Sequence, residues 1–325
     1  MVIKHRHLIY ILLFFLFPGC AFVNMSLVPH QKGLKEKVIE GKGQPKILLL
    51  DISGFISERE RSDRLGVFRR PSLVEQVKEA LRMAEGDDEI AGLIVKINSP
   101  GGLVTATDII YHELVRFKEK KKIPLYASIM SIGASGGYYV ANATDMIIAH
   151  PTAITGSIGV ISLKFNIEGL LDKIGVEEET YKSGDKKDIF SPFRPRTPEE
   201  REIIQRIIDT LYGRFLDTVY ARRKGVLTME ELKSLADGRV YTADQALDVR
   251  LIDAVGYLDD AIGFMKASLG IEEARVVTYY RSGEYKGSIY SAYPDKSSPV
   301  LDLFAGDMGA FAPLAGVEFM YLWIP

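Results

Sequence analysis

One cysteine, Cys20, stands among 325 residues, so no intramolecular disulfide can form and no cysteine-rich metal site is available. Histidine is nearly as scarce. His5 and His7 sit at the extreme N-terminus, and His30, His112 and His150 are scattered without an HExxH spacing. No P-loop is found. Neither sign of charge dominates: 41 basic against 43 acidic residues leave a formal charge of −2, which gives no field to attract nucleic acid. The short basic runs at 120 to 122 and 222 to 224 end helix-like segments, where cations suit the helix dipole. Long linkers and internal repeats are missing too, so one compact domain with appendages is the expected organisation. These absences direct attention away from metals and cofactors. A serine nucleophile in this chain needs a base other than histidine.

What is present begins at the N-terminus. Lys4, His5, Arg6 and His7 precede an apolar stretch from Leu8 to Phe17, closed by Pro18, Gly19 and Cys20, which is a signal-peptide layout. Ten apolar residues are short for a membrane span unless the helix runs on through Phe22 and Val23. The string LFPGC resembles a bacterial lipobox, although Phe17 and Pro18 depart from the usual residues. Residues 1–20 are therefore expected to be a signal peptide with lipidation at Cys20, or a membrane anchor. Residues 21–45 are expected to form a flexible stalk.

From Lys46 the pattern is strand–helix alternation. Apolar runs at 47–52, 90–97 and 123–129 suit buried parallel strands, and 146–149 a fourth. Helical spacing joins Leu73, Val74, Val77, Leu81 and Ala84, then Leu103, Ala106, Ile110, Leu114 and Phe117. A long amphipathic helix follows Thr197-Pro198-Glu199-Glu200. An α/β fold of right-handed βαβ units is expected, with the catalytic domain at 46–281. The tail, 282–325, is apolar and aromatic. Packing on a neighbouring subunit is the favoured role for it, ahead of touching the membrane or lying in a substrate groove.

The candidate nucleophile is Ser135, in Ala134-Ser135-Gly136-Gly137 at a strand-to-helix junction. Glycine after a nucleophile permits a sharp turn and leaves an N–H free for an oxyanion. Gly101-Gly102, after the second strand, offers a second donor. On spacing alone, both pairs serve equally well as tight turns and close packing points.

The strings NSPGG (98–102), ASGGYYVA (134–141), TGSIGV (155–160), YKSGDKKDIFSP (181–192) and DGRVYTADQALDVRLIDAVG (237–256) together resemble the SppA-type signal peptide peptidases. The resemblance spans roughly 46 to 280. It implies a ClpP/crotonase-like fold of stacked ββα units, assembly into rings, and cleavage of residual signal peptides at a bacterial membrane. By the same resemblance Ser135 is the nucleophile and a lysine about fifty residues later the base. Single-domain members place that lysine at Lys187, tandem-domain members at Lys182, and Lys187 is preferred. Ser157 is implied to orient the lysine, and the amides of Gly136 and Gly102 to hold the oxyanion. No cofactor or metal is implied.

The resulting expectation is a membrane-tethered serine endopeptidase with its catalytic domain outside the cytoplasm. Its partners would be apolar peptides, a membrane and copies of itself, with no nucleic acid. Two alternatives are a catalytically silent ring-forming scaffold and a crotonase-like acyl-CoA enzyme.

Overall fold

Ile47, Leu49 and Ile94 pack toward one side of a sheet while Leu48, Leu50, Leu93 and Val95 pack toward the other, and all are buried. A strand covered on both faces has no polar side to alternate with, which is why its sequence reads as a continuous apolar run. The computed structural model describes residues 33–62, 69–281, 284, 286–291 and 318–324. The expected leader at 1–20, with Cys20, lies outside the described residues.

The first strands are β1 (Lys35–Gly41), β2 (Lys46–Ser53), and the two-residue pair β3 (Arg61–Ser62) and β4 (Arg69–Arg70). Helix α1 (Leu73–Glu85) leads to β5 (Ile90–Ser99), β6 (Gly101–Leu103), α2 (Val104–Lys121) and β7 (Leu125–Ala134). After β7 come α3 (Gly136–Ala141), β8 (Met146–Ala149), β9 (Ile154–Gly156), α4 (Glu168–Ile174) and the long α5 (Pro198–Arg223). The remainder comprises α6 (Met229–Leu235), β10 (Val240–Thr242), α7 (Ala243–Asp248), β11 (Ala254–Val255), α8 (Leu258–Leu269), β12 (Arg275–Tyr280) and β13 (Met320–Leu322).

The main sheet runs β1-β12-β2-β5-β7-β8-β11, with β9 beside the end of β7 and β10 beside β9. Every pairing from β12 to β11 is parallel, and only β1 and β10 join antiparallel. Helices cover both faces: α8 through Leu258, Ile262 and Met265 on one, and α1, α2, α3 and α5 on the other. This is the α/β architecture with a largely parallel sheet expected from the sequence.

Helix starts follow local chemistry. Ser72 and Thr197 each accept from the backbone N–H three residues on, and Glu75 and Glu200 reciprocate at the cap amide. Each box satisfies two amides that the first turn leaves unpaired. The expected stalk requires correction, because its last part is β1, paired with β12 and tied to β2 by Lys46, which binds Glu36 at 3.0 Å. Its Lys, Gly and Gln content and the closing Pro45 made this stretch read as linker, yet charged residues such as Lys35, Glu36, Lys37 and Glu40 are what a sheet edge carries.

Where helix α5 ends, Arg223 is 1 % exposed and meets the Asp253 carboxylate at 2.6 Å. The other Asp253 oxygen accepts from the Ile147 N–H (2.7 Å), so one carboxylate joins α5, β8 and the loop before β11. On the opposite face Lys96 donates to the carbonyls of Ile289 (3.3 Å) and Ser291 (2.6 Å), fastening the segment that follows β12.

Candidate active site

Three chain turns converge at the C-terminal ends of β5 and β7. Beyond β7 the backbone of Ser135 turns at φ 51° and ψ −114°, outside the conformations a side chain prefers, and α3 begins at the next residue. Such a conformation costs about 1–3 kcal/mol and persists only where the surroundings impose it. Here they do: β9 pairs with the last three residues of β7, and the Ser135 N–H donates to the Gly156 carbonyl at 2.7 Å. The next residue along that strand, Ser157, also has positive φ (51°) and donates its N–H to the Arg239 carbonyl at 2.7 Å. Ser135 and Ser157 thus follow directly from the paired residues Ala134 and Gly156, and both are buried.

Beyond β5, Gly101 and Gly102 are fixed by close approach. A methyl group on Gly102 would lie 2.0 Å from the Ile56 carbonyl oxygen, and one on Gly101, at φ 104°, would lie 2.7 Å from the Gly136 nitrogen. The amide of Gly136 is in the first turn of α3, where N–H groups have no intrahelical partner.

The third element is the tail. β13 pairs antiparallel with β6, opposing Met320 to Leu103, Tyr321 to Gly102 and Leu322 to Gly101. On its other side Met320 exchanges both backbone hydrogen bonds with Ile161, at 2.9 and 3.0 Å. The tail is therefore the middle strand between β6 and the stretch after Ser157. Val104 donates its N–H to Phe319 (3.2 Å) and Trp323 donates its own to Pro100 (2.9 Å). Bonded pairs alternate in an antiparallel ladder, so Tyr321 and Gly102 form the bonded pair between these two, with the Gly102 N–H facing the Tyr321 carbonyl. That carbonyl oxygen lies 1.9 Å from the point where a Gly101 methyl would sit, beside the Gly136 nitrogen. A peptide carbonyl thus faces the Gly102 amide and lies close to Gly136, next to a serine that is 1 % exposed.

The tyrosine ring is enclosed. It stacks on Tyr139 at 5.1 Å and 19°, tilts against Phe215 at 4.7 Å, and its hydroxyl donates to the Leu211 carbonyl at 2.8 Å. Tyr139 comes from α3 and donates to Asp108, while Leu211 and Phe215 come from α5. Burial pushes the Tyr321 and Tyr139 phenols up, keeping both as hydrogen-bond donors.

Of the residues expected from the sequence, Ser135, Gly136, Gly102 and Ser157 are brought together. The lysines are not. Lys187 is exposed, and among the described residues its ammonium has no hydrogen bond or ion pair. Lys182 is paired with Asp188 at 2.8 Å, and Lys186 with Glu199 at 2.6 Å. Arg194 binds both Asp188 (2.8 Å) and Glu200 (2.6 Å), which ties this strip to the start of α5 and holds Glu200 down at about 2. Sequence reasoning missed Lys164, whose pKa is pushed below the usual lysine value by burial, with Arg196 and Arg194 adding to the shift. It also missed the wall supplied by Leu211 and Phe215. A usable signal for the turn was present in Gly133-Ala134-Ser135-Gly136-Gly137, which has the G-x-S-x-G spacing of a nucleophile elbow. Among the described residues no cluster of three or more His, Cys, Asp and Glu side chains could hold a metal.

Residues 117–272 match the model of Peptidase family S49. The chain is 35 % identical over 258 residues to the "Putative signal peptide peptidase SppA" of Enterococcus faecium, covering 79 % of this chain and 73 % of that one. It is 38 % identical over 231 residues to a "Putative protease" of Synechocystis, covering 71 % and 77 %. With the chloroplastic "Serine protease SPPA" of Arabidopsis thaliana it shares 34 % over 240 residues, 73 % of this chain and 34 % of that one. Among solved structures, a membrane-bound stomatin-specific protease aligns with a TM-score of 0.43 at 14 % identity, covering 68 % of this chain and 85 % of that one.

Proposed function

Because the chain belongs to peptidase family S49, we propose that this serine protease is a membrane-tethered endopeptidase using Ser135 as nucleophile and Lys187 as base, and that it hydrolyses extended apolar peptides such as released signal peptides. The observation that carries this reading is the peptide strand between β6 and Ile161, whose Tyr321 carbonyl faces the Gly102 amide and lies close to Gly136 beside Ser135. A substrate bound by strand addition gains main-chain hydrogen bonds along its length, so affinity does not depend on one side chain.

In the proposed reaction a neutral lysine takes the Ser135 proton as the oxygen attacks the peptide carbonyl carbon. The two amides stabilise the oxyanion, an effect worth about 10²–10³ in kcat for each donor. The proton passes to the departing amine, and water then hydrolyses the ester. Lys187 suits the base better than Lys182, which is committed to Asp188. A lysine is neutral only when burial or nearby positive charge lowers its pKa, and Lys187 is exposed in the single chain. Nearby Phe165, Leu170, Ile174 and Val176 are exposed apolar side chains, 47 to 63 % accessible. Ring assembly on this surface would bury the strip and bring Lys187 of one copy to Ser135 of the next. The tether is the segment 1–20, by lipidation of Cys20 or as a signal anchor.

The test is covalent labelling of the full chain with a small serine-directed phosphonate, followed by peptide mass spectrometry. Labelling at Ser135, reduced at least tenfold in Lys187→Ala, supports the reading. Restored labelling when Ser135→Ala and Lys187→Ala chains are assembled together supports a site shared between copies. Labelling at another serine overturns the nucleophile assignment.

A further inference from the structure

Just before α5 one guanidinium edge is left without a partner. Arg196 Nε and Nη2 are both enclosed, and neither makes a hydrogen bond. These two N–H groups form the edge that grips a carboxylate by two parallel bonds, as Arg214 grips Asp108 at 3.0 and 2.9 Å elsewhere in this molecule. The Ser162 hydroxyl is enclosed and unpartnered as well. Enclosed donors are nearly always paired in folded proteins, so an open fork marks the place of a missing acceptor.

Charge at this corner is unbalanced in the same sense. Lys164 donates to the Arg194 carbonyl at 2.9 Å, and among the described residues neither Lys164 nor Arg196 has a carboxylate partner. Asp188 and Glu200, the carboxylates that act on Lys164 from a distance, are both bound to Arg194, and Lys182 is on Asp188 too. Two cations are therefore left over. Burial holds the pKa of each below its ordinary value, with the Arg194 and Arg196 charges adding to the shift at Lys164 and Arg201 adding to that at Arg196. An incoming anion relieves that desolvation.

The corner flanks the path of the bound peptide. The Arg196 guanidinium lies over the Phe190 ring at 5.7 Å, and Phe190 meets Phe319 edge-on at 6.2 Å. Met320 pairs with Ile161, so one further step along that antiparallel register sets Ser162 across from Phe319. Phe319 stands two residues before Tyr321, whose carbonyl faces the Gly102 amide. Side chains alternate along a strand, so the second and fourth positions before the attacked residue share the face that meets this corner. The third faces the other way, where Glu318 pairs with Arg59. We infer that the upstream end of the groove carries a carboxylate subsite, in which Arg196, with Lys164 beside it, receives an Asp or Glu side chain of the substrate two or four residues before the attacked residue. The inference rests on the serine-peptidase reading above and narrows its substrate class to apolar peptides with an acidic residue upstream of the cut.

The experiment is hydrolysis of an apolar peptide by the full chain, with the cut bond located by mass spectrometry. Glu, Gln and Lys are then placed in turn at each position upstream of that bond, and kcat/KM is measured for wild type, Arg196→Gln, Arg196→Lys and Arg59→Gln, with Ser135→Ala as control. In the wild type, Glu two or four residues before the attacked residue should raise kcat/KM about tenfold or more over Gln, and Lys there should lower it. The gain should appear in KM, because a contact remote from the reacting carbonyl binds substrate and transition state alike. Arg196→Gln should bring the Glu-to-Gln ratio at these positions close to one, Arg196→Lys should keep part of it, and Arg59→Gln should leave it unchanged. A ratio near one in the wild type overturns the subsite whether or not the variants fold, as does a ratio that Arg196→Gln leaves intact; Ser135-dependent cleavage of the Gln peptides keeps the peptidase reading standing in both cases. Absence of Ser135-dependent cleavage of any peptide in the set overturns the peptidase reading itself.

Discussion

Replacing Gly101 with alanine strikes the seated carbonyl directly. The new methyl would lie 1.9 Å from the Tyr321 carbonyl oxygen and 2.7 Å from the Gly136 nitrogen, whereas real Cβ contacts stay at 3.0 Å or beyond. A carbonyl seated there must retreat by about 1.1 Å (3.0 minus 1.9). A hydrogen bond of ordinary length, about 2.9 Å, does not survive that displacement. With at least one oxyanion donor lost, kcat should fall by about 10²–10³. Stability should fall as well: Gly101 has φ 104°, and its methyl would also meet the Gly136 backbone nitrogen at 2.7 Å, so the loss is at least about 1–2 kcal/mol, a Tm decrease of roughly 2–8 °C or more for a large domain. The comparison variant is Gly102→Ala, whose methyl would strike the Ile56 backbone at 2.0 Å and damage the scaffold. Two assays suffice: peptide hydrolysis, and fluorescence of Trp323, the chain's single tryptophan, which reports release of the tail from Pro100. Activity of Gly101→Ala within threefold of wild type, with unchanged Trp323 emission, would refute the placement of the carbonyl.

Other expectations follow from the same geometry. Asp253→Ala leaves the buried Arg223 guanidinium unpaired and should cost about 3–5 kcal/mol in denaturant titration, whereas a loss under 1 kcal/mol contradicts a structural role for the pair. Lys187→Ala should reduce kcat at least about 100-fold, and Lys182→Ala less than tenfold; the reverse order reassigns the base. Glu200 is held at about 2, below its ordinary 4.5, by Arg194. A depressed carboxylate pKa stabilises the fold above the unfolded value and is lost as the carboxylate protonates. The strip at 182–196 should therefore stay docked from neutral pH down to about 4.5 and loosen progressively toward pH 2, measurable by hydrogen exchange. Arg194→Gln should loosen it already at pH 7, and unchanged protection in that variant would show that the ion pairs do not hold the strip.

Much of this molecule is legible in one dimension because the forces involved are local or strongly periodic. Ile47 to Ile52 and Ile90 to Ile97 announce buried strands by uninterrupted apolarity, and Thr197 with Glu200 announces a helix start by reciprocal caps. Ser135 and its glycines were visible because a strained turn demands small residues on both sides. What stayed hidden depends on partners distant in sequence. β1 is a strand only because β12, more than two hundred residues on, offers it a ladder. The tail's place follows from the unpaired edge of β6, and the pocket around Tyr321 joins α3, α5 and the tail. Of the three roles open to the tail, the groove was the less favoured, since apolar composition alone fits a subunit contact equally well. Lys187 was named by resemblance, and no contact in the single chain singles it out.

The central claim is that Ser135 performs the chemistry on a peptide lying between β6 and Ile161. Its most direct test is hydrolysis of a fluorogenic apolar peptide by the full chain and by Ser135→Ala, both shown to be folded by circular dichroism. Cleavage by the wild type alone is the predicted result; equal cleavage by both would contradict the account.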